Sequence, residues 1–172
     1  MSLPWRRVAS VLVVGVSILL TNVSIPAAAT VAGTAAPAID LRDGNGQVVR
    51  LADFKGKVVL LDFWASWCPP CKVSFPKLDA LYKEWRERGL EVLAVNLDDR
   101  RRDADAFLTA HPHTMPVLFD PRGDAPRAFA VRGMPSSVLI DRSGTVRFTH
   151  MGYSEKVIES YRQELELLLG GR

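Results

Sequence analysis

Three kinds of apolar pattern run along this 172-residue chain. The first is a pair of near-continuous runs, Lys57 to Trp64 (KVVLLDFW) and Glu91 to Leu97 (EVLAVNL), which predict strands buried on both faces, as in a parallel sheet. Between them Phe75, Leu78, Leu81, Tyr82 and Trp85 keep helical spacing, so the chain from Pro69 to Arg88 reads as a helix, closed by Gly89 at the position after its end. Shorter segments fill in the rest. Ala38 to Leu41 and Gln47 to Leu51 flank Gly44-Asn45-Gly46 as a hairpin. Asp103 to His111 is a short helix stopped by Pro112, Pro116 to Phe119 a brief strand, and Asp124 to Ala130 another short helix. Ser137 to Asp141 and Thr145 to His150 form strands around the Arg142-Ser143-Gly144 turn, and Glu155 to Leu169 is a terminal amphipathic helix. The order β-α-β-α, then a hairpin and a helix, predicts an α/β fold with a central mixed sheet.

The third pattern is a different object. Val8 to Leu20 is apolar apart from Ser10 and Ser17, follows Arg6-Arg7, and precedes Ala27-Ala28-Ala29. That order predicts a secretion signal over residues 1–29, cut after Ala29. A run of 13 residues suits a signal better than a spanning helix of about 20. Extending it to Ile25 gives 18, so an uncleaved membrane anchor is the alternative. Residues 30–37, rich in Ala, Thr, Gly and Pro, read as a linker, and 38–172 as one domain.

Removing residues 1–29 takes away two arginines and no acid, which lowers the net charge from +3 to +1. The one basic run, Arg100-Arg101-Arg102, is bracketed by Asp98, Asp99, Asp103 and Asp105 and reads as a solvated loop and helix start. No basic stripe with interleaved aromatics suggests nucleic acid.

A domain of this length buries a core without staples, so its two cysteines need another explanation. Both lie in Cys68-Pro69-Pro70-Cys71, at the seam between a buried strand and a helix. A Cys68 thiolate there faces the positive end of the helix dipole, which lowers its pKa below the free value of about 8.5. Neither proline can donate an N–H to that thiolate, so its stabilisation is moderate, which favours a reducing protein over an oxidising one. A C-x-x-C near a βαβ pattern points to a redox dithiol. A structural disulfide closing so small a loop adds little, and zinc wants four ligands where no second C-x-x-C exists.

The segment Asp62-Phe63-Trp64-Ala65-Ser66-Trp67-Cys68-Pro69-Pro70-Cys71-Lys72 resembles the active-site segment of the thioredoxin superfamily. Arg132-Gly133-Met134-Pro135-Ser136-Ser137-Val138-Leu139-Ile140-Asp141 resembles its cis-proline segment, and Leu93 to Asp98 the strand between them. The leader, the WCPPC, the preceding hairpin and the extra stretch Asp99 to Phe119 are similar to the TlpA/ResA-like branch of periplasmic thiol-disulfide oxidoreductases, some of which serve cytochrome c maturation.

The resemblance implies a thioredoxin-like fold with an N-terminal hairpin and a central insertion. It implies that Cys68 attacks and Cys71 resolves, with Pro69 and Pro70 shaping the active-site turn. Pro135 would be cis, with the Met134 backbone offered to an extended substrate segment. Asp62 would be the buried acid that moves a proton at Cys71. Thioredoxins often carry a lysine on the neighbouring strand, where this chain has Ala94; some relatives place a glutamate inside the C-x-x-C, where this chain has proline. Trp67 belongs to the docking surface, Trp64 either to that surface or to the core, and Pro76 is structural. His111, His113 and Met115 read as a loop after a helix end, and no metal is expected.

The function implied is reduction of disulfides in exported proteins such as apocytochrome c or metal-centre assembly factors. Electrons would come from a membrane thiol-reductant donor, because the periplasm is kept oxidising. No cofactor is expected beyond the Cys68–Cys71 pair, and the expected state is a monomer that touches the membrane only if the leader stays attached. A disulfide-forming oxidant and a copper-binding assembly chaperone are the competing readings. A peroxidase of the P-x-x-x-[TS]-x-x-C type is excluded by Leu61 and Ala65 at the two diagnostic positions.

Overall fold

A computed structural model describes residues 32–170. The predicted leader and its cut lie outside them. Among the described residues no helix is long and apolar enough to cross a membrane.

The chain runs β1 (Asp40–Asp43), β2 (Val48–Arg50), a 3-10 turn (Leu51–Phe54), β3 (Val58–Trp64), α1 (Pro69–Trp85), β4 (Leu90–Asn96), α2 (Arg101–Ala110), β5 (Val117–Phe119), α3 (Asp124–Ala128), β6 (Ser136–Ile140), β7 (Val146–Met151) and α4 (Glu155–Gly170). These strands form one seven-stranded mixed sheet in the order β2-β1-β5-β4-β3-β6-β7. The two apolar runs are its centre: every residue of β3 and β4 is buried, and they pair in parallel from Val58↔Leu90 to Trp64↔Asn96. A parallel pair needs a crossover, and α1 supplies it. β5 continues the parallel set beside β4, while β6 runs antiparallel to β3.

Alternation along β3 divides the core into two layers. Leu60 and Trp64 face one way, into a cluster with Phe75 and Leu78 of α1, Phe107 of α2 and Tyr161 and Leu165 of α4. Leu61 and Phe63 face the other way, against Leu93, Val95, Val138, Ile140 and Phe129. Asp62 therefore points into the layer beneath α1 and α4.

Two segments differ from the sequence reading. The helix expected to run to Ala130 stops at Ala128, because Ala130 takes a left-handed φ of 53°. Val131 N–H then closes on the Pro126 carbonyl at 2.8 Å and Ala130 N–H on that of Arg127, a Schellman-type ending without glycine. Part of the stretch read as a linker is hydrogen-bonded to the domain: Gly33 N–H donates to Val146 O at 2.7 Å, Val146 N–H to Thr34 O, and Ala36 N–H to Gly144 O. These bonds cap the otherwise open start of the edge strand β7, a pairing made by backbone alone and so invisible in an Ala/Thr/Gly composition.

Candidate active site

The site stands where β3 ends and α1 begins. Cys68 is the N-cap of α1, with extended φ and ψ of −88° and 107°, and the prolines occupy the first helical positions, where a missing N–H costs little. Cys71 lies on the first turn and is disulfide-bonded to Cys68, with their Cα atoms 5.3 Å apart. Cys71 N–H donates to Cys68 Sγ at 3.3 Å, an N-cap bond in which sulfur replaces the usual oxygen. Cys71 is fully enclosed and Cys68 nearly so, whereas Pro69 and Pro70 are exposed. Trp67 stands 63% exposed beside them. Trp64 is core: its ring lies 4.7 Å from Phe75 and 5.0 Å from Phe107, which ties the central insertion to α1.

The turn before Cys68 is fixed from β4. Asp98 accepts hydrogen bonds from Ser66 N–H at 3.0 Å, Ser66 Oγ at 2.8 Å and Asn96 Nδ2 at 2.7 Å. Its own N–H donates to Asn96 Oδ1 at 3.1 Å. From its neighbours in sequence, Asp98 belongs with the solvated charges around Arg100 to Arg102. In the structure Asp98 is buried, while Asp99 and the arginines are exposed. No sequence signal separates the two adjacent aspartates; only the register of β4 against β3 does.

The insertion is clamped in a similar way. Asp79 of α1 accepts from Thr114 N–H at 2.6 Å, Met115 N–H at 3.0 Å and Thr114 Oγ1, and pairs with Lys83. Burial alone would raise this carboxyl, but the Lys83 ammonium and the two N–H groups outweigh it and hold the pKa at about 2. His111 stacks on Phe107 at 3.9 Å, with its Nδ1 2.7 Å from the Phe107 carbonyl. Among the described residues, no group of three or more His, Cys, Asp or Glu side chains is arranged to hold a metal ion.

The Met134–Pro135 peptide is cis. Its loop is tied down by Ser136 Oγ donating to Gly133 O at 2.7 Å and Gly152 N–H donating to Pro135 O at 2.8 Å. Met134 is half-buried against the cluster that holds both cysteines. Met151, 69% exposed at the end of β7, lies over Gly133 and extends this apolar rim. It was not among the expected site residues, although it follows Arg147 and Thr149 on the outward face of its strand.

Asp62 is 2% exposed, and its Oδ2 has no hydrogen-bond partner. Burial pushes its carboxyl well above the ordinary range. Ala94 pairs with it from β4 and offers no cation; Ser137 pairs with it from β6. Ser137 Oγ lies 2.5 Å from the Tyr161 hydroxyl, and burial, with the Asp62 charge second, pushes the Tyr161 phenol up. The expected site residues thus divide into the Cys68–Cys71 pair on the cap of α1, Asp62 below in the sheet, and the Trp67 and Met134–Pro135 rim.

Two cysteines that meet on the first turn of a helix, at the carboxyl end of a parallel strand pair, place the molecule among the thioredoxin-like thiol-disulfide oxidoreductases. Known proteins agree. The ResA thiol-disulfide oxidoreductase of Geobacillus thermodenitrificans is 34% identical over 138 residues, covering 80% of this chain and 78% of that one. ResA of Bacillus subtilis strain 168 is 35% identical over 130 residues, 75% and 73% of the two chains. The crystal structure of a protein described as thiol:disulfide interchange protein DsbE from Chlorobium tepidum superposes with a TM-score of 0.79 at 42% identity, covering 82% of this chain and 99% of that one. The chain belongs to the AhpC/TSA family, whose profile matches residues 32–149.

Proposed function

We propose that the protein is an exported dithiol reductant that opens disulfides in other exported proteins. The observation that carries this reading is the cap of α1. Pro69 and Pro70 have no backbone N–H to offer Cys68 Sγ, which receives the Cys71 N–H at 3.3 Å. A thiolate held this modestly leaves the reduced form without the special stabilisation that makes a strong oxidant.

In the forward direction the Cys68 thiolate attacks a client disulfide, the client S–S bond breaks, and one client sulfur leaves with the electron pair. Cys71 then loses its proton to Asp62 and attacks Cys68 Sγ. The second client thiolate is expelled and the Cys68–Cys71 disulfide remains, so two electrons have passed to the client. The client lies extended along the Met134 backbone, with Trp67 and Met151 covering the apolar residues beside its cysteine. The leader-like residues 1–29 support export to the periplasm. There a membrane thiol donor must return the electrons, and the likeness to ResA favours apocytochrome c or a metal-centre assembly factor as client.

A Cys71→Ser variant tests this, because it stops the reaction at the mixed disulfide. Expressed in the exporting cell, it should hold covalently bound exported proteins that carry cysteine pairs and are released by dithiothreitol. Trapping of no client, together with tight retention of Cu(I) by the reduced parent, would point to the copper chaperone instead.

A further inference from the structure

The buried acid needs a way to lose the proton it takes. Ala94 closes off the β4 side, and the Asp62 carboxyl is almost sealed from water. The β6 side is different. Asp62 of β3 pairs with Ser137 of β6, and Ser137 pairs with His150 of β7. Residues paired across neighbouring strands share a face at about 5 Å spacing, so these three form a polar row running from the centre of the sheet to its edge. They cut through a layer that is otherwise apolar, with Leu60, Trp64, Leu139 and Phe148 on either side. Helix α4 roofs the row: Tyr161 OH meets Ser137 Oγ at 2.5 Å, the Tyr161 ring stands edge-on to His150 at 5.0 Å, and Glu164 Oε2 lies 2.9 Å from His150 Nε2. His150 and Glu164 are the members of the row with side chains open to water.

We infer that the Ser137–Tyr161 hydroxyl pair and the His150–Glu164 pair form the path by which protons pass between Asp62 and solvent. The inference rests on the dithiol-exchange reading above. When Cys71 attacks Cys68 Sγ, its thiol proton goes to the Asp62 carboxylate. Protonated Asp62 then gives a proton to the hydroxyl pair through one water, as the pair releases its own toward His150. The imidazole passes it to Glu164 or to water, and Asp62 is again a carboxylate. Reduction of the disulfide runs the same steps backwards. Asp62 pairs with Ala94 of β4 and Ser137 of β6, lies within electrostatic reach of Tyr161 of α4, and points into the layer that holds Cys71 of α1; among these groups the hydroxyls are the ones that lead outward. Burial keeps the Tyr161 phenol protonated, so it relays by exchanging protons and does not rest as a phenolate.

Two buried hydroxyls that satisfy each other can be replaced together by apolar groups of similar shape at little cost in stability. The Ser137→Ala/Tyr161→Phe double variant therefore removes the relay and leaves the fold. The test follows oxidation of the reduced full chain by oxidised glutathione through Trp67 fluorescence at the acid end of the working range, where Asp62 starts protonated and must lose that proton through the relay before it can take the one from Cys71, and reads the phase in which Cys71 resolves the mixed disulfide. The expected result is a melting temperature like the parent's and a resolving phase slowed about tenfold, a fraction of the ~10²–10⁴ that general acid–base catalysis supplies. With Asp62→Asn as background, the same double substitution should cause no further slowing. A resolving rate equal to the parent's would overturn the relay, as would equal slowing with and without the Asp62 carboxylate. A parent that fails to exchange with glutathione at all would overturn the dithiol reading and the relay with it, an outcome distinct from either of those.

Discussion

Asp98 is the residue through which the sheet holds the active-site turn, and Asp98→Ala measures that hold. The substitution takes an acceptor from three donors: Ser66 N–H, Ser66 Oγ and the Asn96 amide. Hydrogen bonds to a charged group contribute about 1.5–3 kcal/mol each. The three share one carboxylate and do not add. Asn96 is fully buried and keeps an orphaned N–H, whereas Ser66 is half-buried and recovers a partner from water. The net loss should be about 3–4 kcal/mol, the lost charge-assisted bonds together with the cost of one orphaned buried amide donor. At about 3–4 °C per kcal/mol for a domain of this size, melting should fall by roughly 10–15 °C. Asp98→Asn keeps one acceptor for Ser66 but turns an amide toward the Asn96 amide, so it should fall between parent and Asp98→Ala. The assay is thermal unfolding of the oxidised protein at neutral pH. A melting point for Asp98→Ala within 2 °C of the parent, in the sense of less than about 1 kcal/mol, would refute the reasoning.

Three further outcomes follow from the same contacts. The Asp79 carboxyl is held at about 2, against an ordinary carboxylate value of 3.8. Its stabilisation is therefore present above about pH 4 and lost as the pH falls through 2, worth about 1–2 kcal/mol once the exposed Lys83 partner is discounted for screening. Urea titrations should show the parent's advantage over Asp79→Asn shrinking from pH 6 to pH 2.5, and a constant difference would contradict the assignment. Asp62 has the opposite sign. Burial raises its folded-state pKa, so stability is highest below the unfolded carboxylate value of about 3.9 and is lost as the pH rises through the raised one. Asp62→Asn should thus melt with the parent at pH 4 and above it at pH 8, and the reverse order would refute the unpartnered burial. Cys71→Ser should give a mixed disulfide with glutathione that is stable on a gel and is cleared by dithiothreitol, whereas Cys68→Ser should give none.

What was legible in the sequence is what a single segment encodes by itself. The runs at Lys57 to Trp64 and Glu91 to Leu97 read as strands buried on both faces, and the helical spacing after Pro69 supplies the crossover between them. That arrangement alone puts Cys68 on a helix cap. Asp98 was not legible, because Asp98-Asp99-Arg100-Arg101-Arg102 is uniformly charged and the buried member is chosen by strand register. The polar row was hidden for a related reason. Asp62, Ser137, His150 and Tyr161 are scattered over 100 residues, and only the pairing β3·β6·β7 and the seat of α4 bring them together. Met151 is another product of pairing, since its place over Gly133 depends on where β7 ends against β6. Local chemistry can be read along the chain, while contacts set by register and roofing wait for the fold.

The reduction potential of the Cys68–Cys71 pair tests the central claim most directly. Titrating residues 30–172 in thiol–disulfide buffers, with Trp67 fluorescence as the signal, should give a value near thioredoxin's, about −270 mV or lower. A value near about −120 mV would contradict the account and make the protein a disulfide-forming oxidant.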